Sequence, residues 1–136
     1  MLARFERWAH VPLRFAGYRS IYLPTSVGRL HALRVDGRGK GPPLVLLHGF
    51  TSAAIHYFPL MTRLRPFVSQ IIALDLPAHG LSDAPPHAAD APIIHTGLRE
   101  ALDTMMVEPA VLFGNSLGGF AALHYALQRP ERIRGL

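Results

Sequence analysis

The stretch VLFGNSLGGF, residues 111–120, decides the fold, because it places a serine between two glycines directly after an apolar run. The run AVLF (110–113) predicts a buried strand, and SLGGFAALHYALQRP (116–130) predicts a helix that stops at Pro130. Ser116 therefore lies in a turn from strand to helix. In that setting Gly-x-Ser-x-Gly holds a serine on a strained turn, with its Oγ projecting from the sheet edge as a nucleophile.

The glycines around the serine fit this interpretation. Gly114 and Gly118 lie two residues before and after Ser116, where strand and helix approach closely and bulk is excluded, and Gly119 relaxes the packing further. Unpaired N–H groups and the positive end of the helix dipole favour a developing oxyanion at this point. The N–H of Leu117 is the donor expected there.

Two other glycine motifs fail on single positions. A dinucleotide-binding fingerprint requires glycine at the position of Ser116. A P-loop requires lysine at the position of Phe120, directly after Gly119. The alternative that stays open is a serine that only caps the helix in an ordinary turn. The motif alone does not decide between a cap and a nucleophile.

The rest of the chain predicts alternating strands and helices. Strands are expected at 19–24, 28–35, 44–48 and 70–76, with the opening of another at 132–136, and helices at about 57–65 and 92–108. One helical face collects Ile94, Leu98, Ala101, Leu102, Met105 and Met106. This order indicates an α/β fold with a mostly parallel sheet flanked by helices and right-handed crossovers.

Composition and charge exclude several classes of protein. The 136 residues are 49% hydrophobic and 17% charged, as in a globular domain. The net charge of +5 comes from scattered arginines without a nucleic-acid motif, so no nucleic-acid partner is expected. No apolar stretch reaches the length of a membrane span. Cysteine is absent, which fits a reducing compartment, and a cytoplasmic location is expected.

Two further segments, LVLLHGFTS (44–52) and LDLPAHGLSD (74–83), precede GNSLGG in order. Jointly the three resemble the α/β-hydrolase superfamily, from about residue 20 to the last residue. The resemblance implies a serine hydrolase acting on an ester or related carbonyl of a small-molecule substrate, without a cofactor. It also implies a sheet truncated at the start of its sixth strand. Residues 1–18 are then an N-terminal extension, and 19–136 are the N-terminal part of a single domain.

The resemblance also assigns roles to individual residues. His48 and Gly49 mark the turn after the third strand, and the N–H of Phe50 is the second oxyanion donor, opposite that of Leu117. His48 supports this turn and is not the base. Asn115 resembles the variant found among carbon–carbon bond hydrolases and some esterases, which leaves carbon–carbon cleavage open beside ester hydrolysis.

The acid and histidine of a triad are not evident in the sequence. The superfamily orders them after the serine, acid first. Only His124 and Glu131 follow Ser116, in reversed order, and His124 lies about 12 Å along the helix. Both groups are therefore expected beyond residue 136, and the chain alone is expected to be inactive. No metal site is expected.

Two rival functions stay open. One is a non-catalytic binding protein of the same fold. The other is a chain that acts only with a partner, associating through an open sheet edge.

Overall fold

The computed structural model describes residues 16–86 and 88–136. The expected extension at 1–18 lies mostly outside these residues, and Tyr18 already belongs to the first strand. The strands are β1 (Tyr18–Thr25), β2 (Gly28–Asp36), β3 (Leu44–Leu47), β4 (Gln70–Leu74), β5 (Ala110–Gly114) and β6 (Ile133–Gly135). The helices are α1 (Phe58–Leu64), α2 (Ala91–Met105) and α3 (Leu117–Gln128), with 3-10 turns at Ala54–Tyr57 and Pro130–Arg132.

The strands form one six-stranded sheet in the order β1-β2-β4-β3-β5-β6. The β1–β2 hairpin is antiparallel and pairs antiparallel with β4, whereas β4, β3, β5 and β6 run parallel. The predicted mostly parallel sheet flanked by helices is confirmed. Because β3 and β5 are parallel neighbours, their carboxyl ends meet at one edge of the sheet, where Leu47 pairs with Gly114.

Apolar side chains form one cluster on each face of the sheet. The first cluster lies under α2 and α3 and includes Val45, Leu47, Ile72, Leu74 and Tyr125. The second lies under α1 and includes Leu33, Leu46, Met61, Ile71 and Ala73. The face predicted for the helix at 92–108 is buried at all six positions, with exposures of 8% or less.

Two details differ from the sequence expectation. Helix α2 ends at Met105 and not at residue 108, since Met106 has extended backbone; Pro109 disfavours helix only at the residue directly before it, Glu108. Strand β5 was expected to be buried on both faces, but Phe113 is 48% exposed. An unbroken apolar run does not reveal whether both faces are covered; here the face toward α2 and α3 is buried, whereas the opposite face is only partly covered, with Val111 half-buried.

Among the residues that the structure describes, no helix has the length and apolar character needed to cross a bilayer.

Candidate active site

Ser116 lies in the two-residue turn between β5 and α3, directly before the first residue of the helix, Leu117. The Ser116 backbone has φ +49° and ψ −114°, which L side chains rarely adopt. Its hydroxyl makes no capping hydrogen bond to the helix, so the reading of Ser116 as a simple cap fails. A conformation of this kind costs about 1–3 kcal/mol and is typical of functional turns.

Close backbone contacts impose this turn. A Cβ on Gly114 would lie 2.4 Å from the carbonyl oxygen of Gly118, and a Cβ on Gly118 would lie 2.1 Å from that of Leu47. Neither position accepts a side chain. Gly119 is less confined, since its nearest contact would be 3.1 Å, to the Gly114 carbonyl.

The turn after β3 packs directly on the serine. A Cβ built on Gly49 would lie 3.4 Å from the Ser116 Cβ and 2.8 Å from Asn115 Oδ1. The Asn115 N–H donates to the Leu47 carbonyl at 3.0 Å, which ties the two turns together. The backbone amide after Gly49 belongs to Phe50, and within 16–86 and 88–136 it donates no hydrogen bond. The Leu117 amide opens α3 and has no partner inside the helix.

His48 is fully engaged in holding this turn. It is 1% exposed. Its Nε2 accepts from the Leu76 N–H at 3.1 Å, so Nδ1 carries the proton and donates to the Gly49 carbonyl at 2.8 Å. Burial lowers the pKa of His48 and keeps the ring neutral. Neither nitrogen is left to accept a proton from a substrate or a serine.

The lowered pKa of His48 makes the stability of the chain depend on pH. Below about 6.5 the unfolded chain takes up a proton at this position that the folded chain excludes, so stability is expected to fall as the pH drops from about 7 to about 5. Urea unfolding followed by circular dichroism at several pH values measures this. His48→Gln should flatten the dependence, whereas an unchanged slope would contradict it. His95, whose pKa burial also lowers, contributes in the same direction.

Asp75 organises the loops beside the site. Its carboxylate accepts from His31 Nδ1 at 2.7 Å, the Ala54 N–H at 2.6 Å and the Leu81 N–H at 3.0 Å. Burial alone would raise the pKa of Asp75, but these three hydrogen bonds together lower it. Gly80, with φ +53°, lies against the carboxylate, where a Cβ would come within 2.3 Å of it.

A serine–histidine–aspartate chain of hydrogen bonds does exist, but not at Ser116. Ser20 Oγ lies 3.1 Å from His31 Nε2, and His31 Nδ1 lies 2.7 Å from Asp75. Ser20 is on β1, four strand positions from β5, which is about 19 Å at the usual strand spacing. No pattern in the sequence predicted that His31 bonds Asp75. The signal that could have indicated this pair is His31 itself, a histidine between the apolar residues Leu30 and Ala32 of β2.

The other histidines that the structure describes bond or stack with groups other than Ser116. His56 bonds Ser52 Oγ at 3.0 Å, His79 donates to the Pro77 carbonyl at 2.9 Å, and the rings of His95 and His124 stack 3.7 Å apart. Within the described part of the chain, no histidine hydrogen-bonds to Ser116. His10 and His87 lie outside the described residues, and Glu131 is exposed.

A cavity of about 660 Å³ adjoins the two turns. Its lining includes Phe50, which follows Gly49, and Leu117, which follows Ser116. Across residues 16–86 and 88–136, no group of three or more His, Asp or Glu side chains is arranged to hold a metal ion.

Known proteins share the fold of this chain. A family model for the alpha/beta hydrolase fold matches residues 42–136. A pimeloyl-[acyl-carrier protein] methyl ester esterase of Xanthomonas oryzae is 41% identical over 106 residues, which are 76% of this chain and 38% of the esterase. An abhydrolase domain-containing protein of Caenorhabditis elegans is 30% identical over 128 residues, covering 87% of this chain and 29% of that protein. The chain therefore spans well under half the length of these relatives.

Solved structures show the same architecture. An alpha/beta hydrolase from Novosphingobium aromaticivorans superposes with a TM-score of 0.77 at 27% identity, covering 86% of this chain and 42% of that one. An N-acyl homoserine lactonase crystallised with N-hexanoyl homoserine gives 0.75 at 29% identity, covering 88% and 43%.

Proposed function

The chain belongs to the alpha/beta hydrolase fold family, and from this premise we propose that it carries the nucleophile and oxyanion hole of a serine hydrolase. The substrate is an ester or a related carbonyl compound. The strained backbone of Ser116, whose hydroxyl caps nothing, is the observation on which the proposal rests. The relatives described as a methyl ester esterase and a homoserine lactonase support the choice of an ester.

In the proposed reaction Ser116 Oγ attacks the carbonyl carbon while a base takes its proton. The carbonyl oxygen becomes an oxyanion and accepts hydrogen bonds from the amides of Phe50 and Leu117. Collapse of this intermediate releases the alcohol, which takes up the proton, and leaves an acyl group on Ser116 that water then hydrolyses. Removing one oxyanion donor typically costs about 2.7–4 kcal/mol of transition-state stabilisation.

The neighbouring residues position these groups. Gly114, Gly118 and Gly119 admit the close approach of β5 and α3, and Asn115 contacts Gly49. His48 holds the Gly49 carbonyl, so the amide of Phe50 is directed by a neutral, buried ring. None of these groups touches the reacting atoms in the proposal.

We place the base outside the described residues, since none of the described histidines bonds Ser116. An acid and a histidine beyond residue 136 would complete a triad in the order that the superfamily uses. We propose further that the protein is located in the cytoplasm.

A single experiment with the 136-residue chain tests the nucleophile. Imidazole in solution can take the place of a missing base, so we expect it to accelerate release of p-nitrophenolate from p-nitrophenyl acetate beyond its own catalysis. The excess should disappear in Ser116→Ala. Without imidazole the chain should show at most the residual of about 10³–10⁴-fold over water that an oxyanion hole and binding supply.

The matched control is Ser69→Ala, which removes an exposed serine hydroxyl from a loop before β4 and should leave the excess unchanged. Mass spectrometry after treatment with a fluorophosphonate and imidazole should locate the label on Ser116. A label elsewhere, or an excess that survives in Ser116→Ala, would refute the nucleophile. Strong Ser116-dependent turnover without imidazole would refute the external base.

Association through the sheet edge is the second candidate. Strand β6 has three residues and pairs only with β5 in the described sheet. Leu127 and Leu136 are 74% and 64% exposed. An edge strand with unpaired backbone groups, together with exposed apolar side chains on α3 and directly after β6, favours contact with another polypeptide.

A further inference from the structure

We propose that the cavity beside Ser116 binds the acyl part of the substrate as an uncharged, mainly aliphatic chain of medium length. This inference rests on the proposed function, since it uses the same nucleophile and oxyanion donors. It adds the chemical class of the group that the site selects.

The cavity is lined by the two residues that supply the proposed oxyanion donors. Phe50 and Leu117 both line it, and their amides are the donors proposed for the carbonyl oxygen. A carbonyl held between them therefore has one substituent beside the cavity. Its volume of about 660 Å³ falls in the range of roughly 300–1,000 Å³ usual for small-molecule sites.

The described lining contains no Asp, Glu, Lys or Arg side chain to balance an ionised ligand. The described lining residues are Phe50, Leu117, Phe120, Ile94, four alanines and two polar residues, Thr51 and His79. His79 Nδ1 donates to the Pro77 carbonyl at 2.9 Å, so this nitrogen is not available to a ligand. A carboxylate or ammonium group entering this space would lose its hydration without gaining an ionic partner, which is strongly unfavourable.

Two phenyl rings are exposed at this cavity. Phe50 is 72% and Phe120 57% exposed, although each is a large apolar side chain. The Phe50 ring packs edge-on against His79 at 5.7 Å, and the Phe120 ring lies 5.2 Å from His95. Apolar surface gathered around a concavity is typical of a binding site, and these rings offer it to an aliphatic chain.

Binding to the Ser116→Ala chain tests the class of ligand without requiring catalysis. The probes are methyl butanoate, methyl hexanoate and methyl octanoate, followed by ligand-observed NMR. Each added methylene should tighten binding about fourfold, since burial of apolar surface supplies the affinity. The monomethyl ester of octanedioic acid, which ends in a carboxylate, should bind at least about tenfold more weakly than methyl octanoate.

Three variants locate the binding. Phe120→Ala should weaken methyl octanoate about tenfold, whereas Leu127→Ala, which removes another exposed apolar side chain of α3, should leave it unchanged. Ala88→Trp fills the cavity from an exposed position and should abolish binding.

Three outcomes would overturn the inference: affinity independent of chain length, preference for the carboxylate, or equal loss in Leu127→Ala, which would indicate adsorption on the helix surface. Since the hydroxyl is absent throughout, these outcomes are separate from failure of Ser116 as the nucleophile, which the imidazole experiment reports.

Discussion

Gly118→Ala is expected to lower the free energy of unfolding by at least about 3 kcal/mol. The added Cβ would lie 2.1 Å from the Leu47 carbonyl oxygen and 2.6 Å from that of His48. Both contacts are backbone, at the end of central strand β3, so relief requires α3 or β3 to move. Overpacking a core usually costs about 1–3 kcal/mol, and contacts with backbone belong at or above the upper end.

Gly119→Ala is the matched control for this substitution. Its Cβ would meet only the Gly114 carbonyl, at 3.1 Å, while alanine gains up to about 1 kcal/mol over glycine inside a helix. The two effects oppose each other, so the net change should stay within about 1 kcal/mol. Urea unfolding monitored by circular dichroism compares the two variants. Equal stability of Gly118→Ala and Gly119→Ala would show that the packing at the turn is looser than the structure indicates.

Asp75→Ala is expected to cost about 3–5 kcal/mol, because it breaks a buried pair with His31 and also leaves the N–H groups of Ala54 and Leu81 without their acceptor. A loss of this size would unfold much of a domain of ordinary stability. The same unfolding measurement applies, with thermal denaturation as a second readout.

Asp36→Ala provides the comparison, since Asp36 forms an ion pair with Arg19 at 2.9 Å. That pair is exposed, with 65% and 54% of the two side chains accessible, and exposed pairs contribute about 0–1 kcal/mol. The double variant His31→Ala with Asp75→Ala should cost less than the sum of the single changes, because the pair is lost only once. Additive losses would mean that the two side chains act independently.

Much of the fold follows from local pattern. The runs at 44–47 and 70–74 contain only apolar residues apart from Gln70, and buried parallel strands need such runs. The spacing of Ile94, Leu98 and Leu102 predicted the face that α2 buries. The exposure of Phe113 in β5 was less predictable, because an apolar run does not indicate which elements cover each face of the strand.

The motif around Ser116 predicted the turn for a similar reason. Glycines two residues before and after the serine are needed wherever a strand and a helix approach this closely, so their spacing in the sequence records a three-dimensional constraint. No comparable spacing in the sequence indicates the partners of the histidines. His31 and Asp75 are 44 residues apart, and His95 stacks on His124 across two helices.

The sequence by itself determined the α/β architecture, the strand-to-helix turn at Ser116 and the glycines that permit it, since each depends on neighbours close along the chain. Only the tertiary structure decided that the Ser116 hydroxyl caps nothing, that both nitrogens of His48 are occupied, and that Asp75 accepts hydrogen bonds from His31, Ala54 and Leu81. It also brought Phe50 and Leu117 to one uncharged cavity. These features depend on contacts between segments that are distant in sequence, and the geometry of such contacts is set by how the whole sheet and its helices pack.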